Sequence, residues 1–311
     1  MNAIALIARK EFQAAFRNRL FITITVLFLA MSILSVYIGS VTKRTELRVY
    51  NQTVASLTAQ GVTALPPQPE IHTLTILSNL TEYVSIVGAI LAVVLGYNAL
   101  IEEKESGGLK LILSRPVYRD QLLTGKLLGN AAVIGVLLGV VFVFNLVLLV
   151  VIGGIWPTLG EVGRLLSFVG LAFAYMLIFL SLAMLLSIRM QNSAAVFLVS
   201  LVAWMLLSFV IPQMAETMMA NSTVINSISG ATNQIPQDTA ASQALNFLSP
   251  TWHLRSMGEQ LLEAAPGSVI LKTGTLIGHW LLTLLALLIP SIVFMAAGYI
   301  TFLRDETLTL E

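Results

Sequence analysis

Charge is scarce in this sequence. Asp, Glu, Lys and Arg make up 11% of its 311 residues, whereas soluble proteins carry about 25%. The 17 basic and 16 acidic residues nearly cancel and leave a net charge of +1, so the totals predict neither a nucleic-acid-binding surface nor a general attraction to acidic partners. We therefore expect a membrane protein, with no nucleic acid among its partners.

Cysteine is absent, and histidine occurs at three positions, His72, His253 and His279. The lack of cysteine excludes disulfides, iron–sulfur ligation, thiolate zinc sites and cysteine nucleophiles. The histidines are too scattered to suggest a metal site, and the sequence contains neither an H-E-x-x-H motif nor a phosphate-binding P-loop. We therefore predict no catalytic residue, no metal and no cofactor in this chain.

Six apolar segments are long enough to cross a membrane. A spanning helix needs about 20 mostly apolar residues, because the hydrocarbon layer is about 30 Å thick and a helix rises about 1.5 Å per residue. The segments contain no Asp, Glu, Lys or Arg and cover residues 20–41, 83–101, 127–152, 165–188, 194–211 and 275–302. The pattern predicts an all-α membrane protein with a six-helix transmembrane domain over residues 20–302.

The distribution of basic residues predicts the orientation. Lys and Arg near the spans are retained on the cytoplasmic side of a membrane. With the N-terminus inside, residues 1–19, 102–126 and 189–193 and the tail 303–311 hold 11 of the 17 basic residues. We expect both termini in the cytoplasm (N-in/C-in) and a multi-pass protein of the plasma membrane.

Residues 1–19 have the pattern of an amphipathic elbow helix. Apolar residues from Ile4 to Phe16 share one broad face, which we expect to lie on the cytoplasmic membrane surface. Each basic side chain near an anionic leaflet contributes about 1 kcal/mol to the binding of the helix to the membrane surface. Glu11 interrupts the apolar face, so we expect it to pair with a protein group. The residues that characterise this elbow are Arg9, Lys10, Glu11, Phe12 and Arg17.

Two long segments lie on the predicted outer side. Residues 42–82 contain three prolines and no strong period, so we expect an irregular excursion. Residues 212–274 begin with a stretch rich in Ser, Thr and Asn, after which Ser249-Pro250 predicts the start of a short amphipathic helix. We expect an outer gate or a docking surface for an extracytoplasmic partner here, with a passive loop as the alternative. The gate candidates are Trp252, Leu254, Met257 and Leu261.

Polar groups within the spans are few. An ion-coupled carrier would place titratable groups inside the bilayer, and the strongest polar candidates there are His279, Asn98, Asn130 and Asn145. We expect the asparagines to form hydrogen bonds between helices. An ion-coupled transporter or channel, and a membrane scaffold that transports nothing, remain as alternatives.

The predicted cytoplasmic segment 102–126 has the most specific pattern. Acidic residues and two glycines precede the apolar helical stretch 109–113, which Pro116 terminates. A second short helix that starts near Asp120 leads to the third span. A compact element that is apolar on one side and charged on the other is suited to docking in a partner's groove.

This segment resembles the signature of the ABC type-2 membrane permeases. The residues that fall on the signature are Glu103, Gly107, Leu109, Leu113, Pro116, Arg119, Gly125 and Lys126, and Gly108 stands where the family usually has Thr. The elbow and the six-helix order also resemble the family. Within it, the pattern is most similar to the branch that contains the permease of the nitrous-oxide-reductase maturation transporter.

The resemblance implies a type-2 ABC exporter fold in which two copies of the permease form the pathway as a homodimer. A separate cytoplasmic ATPase, itself a dimer, would bind ATP and Mg, so this chain would not be an enzyme by itself. The expected partners are this ATPase, the second permease and membrane lipid.

The resemblance also implies roles for the loop, which would act as a coupling helix. Its acidic residues would face basic groups of the ATPase, its leucines would fill a groove, and Arg119 would fix the orientation. The residues implied in this coupling are Glu102, Glu103, Glu105, Gly107, Gly108, Leu109, Leu113, Pro116 and Arg119.

Overall fold

Long apolar helices dominate the chain. The structure, a computed structural model, describes residues 3–61, 66, 73–108, 118–154, 156–225, 232–263 and 273–304. The helices are α1 (Ala3–Ala15), α2 (Arg19–Ala59), α3 (Leu80–Tyr83), α4 (Ala89–Glu105), α5 (Arg119–Val151), α6 (Leu159–Arg189), α7 (Ser193–Met205), α8 (Ile211–Thr217), α9 (Ala240–Leu248), α10 (Pro250–Leu261) and α11 (Thr273–Arg304). π-helical turns at Val84–Gly88 and Leu206–Val210 join α3 to α4 and α7 to α8.

Six stretches of helix are long and apolar enough to cross a membrane, which confirms the predicted all-α membrane class. These candidate spans are Arg19–Ala59, Thr73–Glu105, Arg119–Val151, Leu159–Arg189, Ser193–Thr217 and Leu276–Arg304. Because a helix satisfies its own backbone hydrogen bonds, each is compatible with a lipid environment. The short connection between α6 and α7 makes these two helices a hairpin.

α2 is much longer than the first apolar segment. It continues to Ala59, so the expectation of an irregular chain from residue 42 onward is wrong for residues 42–59. The sequence has no proline or glycine between residue 41 and Gly61, and nothing in that stretch interrupts the helical hydrogen bonds. The extra helix is about 27 Å long at about 1.5 Å per residue.

The core lies where α4 and α6 pack together. Most side chains of α6 are buried, among them Tyr175 and Phe179. α11 packs on α6 as well, and α1 packs on α5. The first, fifth and sixth spans bury only about a quarter of their most apolar windows, at 28%, 22% and 22%. Their outward apolar side chains form a surface suited to contact with lipid or another subunit.

The segment 212–274, predicted to lie on the outer side, contains a β-hairpin that the sequence pattern did not predict. β1 (Ala220–Ile225) pairs with β2 (Thr232–Gln237) in an antiparallel register that places Ala220 opposite Gln237. Its Ser and Asn content favours turns, and cross-strand pairing outweighs that preference. α9 and α10 follow the hairpin. α10 begins at Pro250 with Ser249 as its N-cap, which confirms the predicted helix start.

Candidate functional site

Four charged side chains join α1 to the two helices that flank the loop. Lys126 Nζ of α5 lies 2.8 Å from Glu11 Oε1 of α1 and 2.8 Å from Glu103 Oε2 of α4. Lys10 Nζ lies 2.8 Å from Glu103 Oε1. The side chain of Lys126 is 2% exposed, and the two carboxylates beside it compensate for the hydration that its ammonium group loses on burial. We call Lys10, Glu11, Glu103 and Lys126 the elbow cluster.

The elbow cluster confirms one expectation and corrects two. Glu11 pairs with a protein group, as its position on the apolar face predicted. Glu103 pairs with lysines of its own chain, whereas the family resemblance implied that it faces basic groups of the ATPase. Lys126 was placed in a loop after a separate short helix, but α5 begins at Arg119 and includes it. No proline stands between Arg119 and Lys126, so a single helix continues through both predicted elements.

α1 approaches α5 closely at two glycines one turn apart. A Cβ atom on Gly125 would lie 2.7 Å from Ile7 Cβ, and a Cβ atom on Gly129 would lie 2.7 Å from the carbonyl oxygen of Ala8. Small residues at this spacing allow two helix backbones to pack closely. Ile7 and Ala8 on the apolar face of α1 therefore pack on α5, and the expectation that α1 lies on the membrane surface stays a prediction. Phe16, expected on that face, is 47% exposed.

The residues before the loop fasten the α6–α7 hairpin. Lys104 Nζ donates to three carbonyl oxygens at the end of α6, at 2.6 to 3.2 Å. They are those of Ser187, Ile188 and Met190. Glu105 Oε1 accepts from the backbone N–H of Ser193, the first residue of α7, at 3.1 Å. A cation at a helix C-terminus and a carboxylate at a helix N-terminus both complement the helix dipole.

The residue after the loop fastens the last helix. Arg119 Nη1 donates to the carbonyl oxygen of Phe302 in α11 at 3.2 Å. Gly107 has a φ of 70° just after α4, a conformation that favours glycine, and Gly108 follows it. The other predicted coupling residues, namely Leu109, Leu113, Pro116 and the side chain of Glu102, lie outside the described residues. The described flanks of the loop therefore contact the ends of α1, α6, α7 and α11.

Three of the four outer gate candidates point into the bundle. Leu254, Met257 and Leu261 are 0%, 2% and 2% exposed, whereas Trp252 is 38% exposed. The buried face of α10 packs on α6, where Gly258 lies against Phe168, and it also packs on α3. In this structure, Trp252 is therefore the one member of the four that is accessible to a cargo or partner.

A buried hydrogen-bond network fixes α10 to the core. Tyr175 Oη donates to the carbonyl oxygen of Ser85 at 2.8 Å and lies 3.1 Å from Thr251 Oγ1. Trp204 Nε1 donates to the same Ser85 carbonyl at 3.3 Å. Ser85 belongs to the π-helical turn Val84–Gly88, a type of turn that occurs frequently at functional sites. The network therefore connects α10 to the π-helical turn of the second span.

The asparagines of the third span do not all join helices. Asn145 Nδ2 donates to the carbonyl oxygen of Val141 in its own helix at 2.8 Å, so the expected interhelical bond is wrong for this amide. Asn130 is 3% exposed, and its Nδ2 has no hydrogen-bond partner among the described residues.

The burial of His253 predicts that α9 and α10 are sensitive to acid. Burial lowers the pKa of His253, although the hydrogen bond from its Nε2 to the carbonyl oxygen of Phe247, 3.0 Å long, raises it in part. Below about pH 6.5 His253 binds a proton in the unfolded chain more readily than in the folded chain, so acid favours unfolding. We expect thermal stability to fall between pH 7.5 and pH 5.5, by at most about 1.4 kcal/mol per pH unit from this residue.

Thermal unfolding in detergent across this pH range measures the effect. His253→Gln keeps a donor for the Phe247 carbonyl and is expected to flatten the pH dependence. The matched control is His279→Gln, because His279 is exposed. Equal slopes for wild type and His253→Gln would contradict the prediction.

Comparison with known proteins agrees with the resemblance. The family described as ABC-2 family transporter protein matches residues 5–307. A protein of Pseudomonas aeruginosa is 29% identical over 134 residues, 43% of this chain and 41% of that protein. One of Stutzerimonas stutzeri is 30% identical over 186 residues, 57% of this chain and 59% of that protein. Both are named probable ABC transporter permease protein NosY, and this chain spans about half of their length.

Proposed function

From the premise that the chain belongs to the ABC-2 family of transporter proteins, we propose that it is the permease of an ATP-driven exporter. It is a multi-pass membrane protein, and the family implies an ABC ATPase as a partner. In our proposal a separate cytoplasmic ATPase dimer holds ATP and Mg, and this chain contributes no catalytic residue. Two copies of the permease form the pathway. The similarity to two NosY permeases supports the assignment of this chain to their branch of the family.

The contacts of the loop flanks carry this proposal. Lys104, Glu105 and Arg119 bind the ends of α6, α7 and α11, and Glu103 belongs to the elbow cluster. A partner that pushes or pulls on the segment between Glu105 and Arg119 therefore acts on several spans together. Interfaces that move as packed units transmit small displacements over long distances. Residues 102–119 are the transmission element in this proposal.

The orientation is part of the same proposal. The elbow, the described flanks of the loop and the end of α11 lie at one end of the bundle, and the sequence segments that belong to this end hold most basic residues. Lys and Arg near spans are retained on the cytoplasmic side. We place this end in the cytoplasm, and the hairpin, α9 and α10 on the other side as an outer gate or a docking surface. Trp252 is the residue of that surface that we expect to contact a cargo or partner.

Leu109→Asp tests the coupling. This substitution places a carboxylate where we expect an apolar side chain in the groove of the ATPase, and burying an unpaired charge costs several kcal/mol. We expect the variant to lose at least about tenfold in ATPase binding and in permease-dependent ATP hydrolysis. The measurement is affinity purification of the tagged chain, identification of a co-purified protein with a G-x-x-x-x-G-K-[ST] sequence, and vanadate-sensitive ATP turnover in inside-out vesicles.

The matched control is Glu161→Gln. Glu161 forms a capping box with Thr158 at the opposite end of α6, so this variant changes a charge far from the loop. It is expected to retain ATPase binding and ATP turnover. If Leu109→Asp bound the ATPase and supported ATP turnover like the wild type, residues 102–119 would not be the transmission element.

A further inference from the structure

A cavity of about 480 Å³ lies between the elbow and the first three spans. α1, the turn that leads to α2, and parts of α4 and α5 surround it. Its apolar lining consists of Phe21, Val94 and Leu95, together with two alanines of α1. Its basic lining consists of Lys10, Arg17 and Arg19. The cavity therefore combines an apolar wall with a positively charged one, and its size is typical of small-molecule sites.

Asn130, which lines this cavity, has a buried hydrogen-bond donor without a partner among the described residues. Asn130 lines the cavity, is 3% exposed, and has an Nδ2 that makes no hydrogen bond within the part of the chain that the structure describes. Buried donors are nearly always paired, because an unpaired one loses its hydration without compensation. Asn98 of α4 also lines the cavity. An occupant with acceptor oxygens would satisfy the Asn130 amide.

The charges around the cavity favour an anion. Arg17 and Arg19 are exposed, and neither makes an ion pair among the residues that the structure describes. Glu11 is the acidic residue in the lining, and its Oε1 is held by Lys126 at 2.8 Å. The arginines thus leave a positive field in the cavity that Glu11 does not cancel. Arginine pairs well with phosphate oxygens, which accept two parallel hydrogen bonds.

The position of the cavity selects an amphipathic anion. Arg19 begins α2, and the apolar stretch that crosses the membrane starts one residue later. The basic residues therefore lie at the level of the membrane surface, and Phe21 lies just inside it. We propose that this cavity binds an anionic phospholipid, with its phosphate held by the arginines beside Asn130 and its glycerol and first acyl carbons toward the apolar wall. The proposal does not depend on the ATPase or on the direction of transport.

Thermal unfolding of the purified full chain in a neutral detergent tests this site. The probes are dioleoylphosphatidylglycerol, dioleoylphosphatidylcholine and inorganic phosphate, each titrated separately. We expect phosphatidylglycerol to raise the unfolding temperature in a saturable manner and the other two probes to leave it unchanged. The variant Arg17→Gln/Arg19→Gln alters only exposed side chains and is expected to weaken the apparent affinity about tenfold or more, the loss expected for charge-assisted hydrogen bonds. Asn130→Leu is expected to weaken it as well.

The matched control is Arg48→Gln, because Arg48 is an exposed arginine on the same helix and outside the cavity. This variant is expected to bind phosphatidylglycerol like the wild type. Three outcomes would overturn the proposal. They are equal responses to phosphatidylglycerol and phosphatidylcholine, a saturable response to inorganic phosphate alone, and an unchanged phosphatidylglycerol affinity in the double arginine variant.

Discussion

Lys126→Met is expected to destabilise the protein by about 3 to 5 kcal/mol, the usual cost of removing one partner from a buried ion pair. The substitution removes the cation that Glu11 and Glu103 share. Their side chains are only 12% and 13% exposed, so little water can replace that cation. Lys10 still pairs with Glu103, so the larger penalty falls on Glu11. Reversible unfolding in mixed detergent micelles measures the free energy.

Two variants make this prediction specific. Lys10→Met removes a lysine of the same cluster whose side chain is 62% exposed, so its expected cost is about 0 to 1 kcal/mol. Adding Glu11→Gln to Lys126→Met removes the uncompensated charge and is expected to restore most of the lost stability. If Lys10→Met and Lys126→Met lowered the free energy of unfolding equally, the burial of Lys126 would not determine how much the elbow cluster contributes to stability.

Gly129→Leu is expected to separate α1 from α5. Even a Cβ atom at this position would lie 2.7 Å from the carbonyl oxygen of Ala8, and a backbone atom moves only if the whole helix moves. Overpacking typically costs about 1 to 3 kcal/mol, and we expect the upper part of this range or more because the clash is with backbone. The side chains of Arg17 and Arg19 are exposed already, and release of α1 lets the backbone around them unfold into the active site of trypsin. The cleavage rate at these residues is therefore expected to rise about tenfold, which corresponds to about 1.4 kcal/mol of opening free energy.

Gly139→Leu provides the matched control on the same helix. A Cβ atom on Gly139 has no neighbour within 4 Å among the described residues outside the adjacent backbone of its own helix. Leucine also has a better helix propensity than glycine by about 1 kcal/mol. We expect unchanged trypsin cleavage and no loss of stability. Rapid cleavage in Gly139→Leu, or slow cleavage in Gly129→Leu, would show that α1 is not held by its close contact with α5.

The amino-acid sequence determined the number of spans, because a spanning helix depends on a local property. A helix of about 20 adjacent apolar residues is long enough to cross the bilayer. Its backbone hydrogen bonds all form within the same segment. A local signal, Ser249-Pro250, also predicted the start of α10. The position of Glu11 on an apolar face predicted that it has a partner, since a carboxylate is costly there without one.

The tertiary structure decided which partner each polar residue has. Glu11 and Lys126 are 115 positions apart, and Lys104 is 83 positions from Ser187, so no local period connects them. Asn145 was expected to join helices but bonds within α5, and Glu103 was expected to face another protein but pairs with Lys10 and Lys126. The inward direction of Leu254, Met257 and Leu261 likewise depends on where α10 docks. Sequence composition fixes what enters the membrane, whereas the packing of helices that are distant in sequence fixes which side chains meet, because those contacts form only when the helices are assembled.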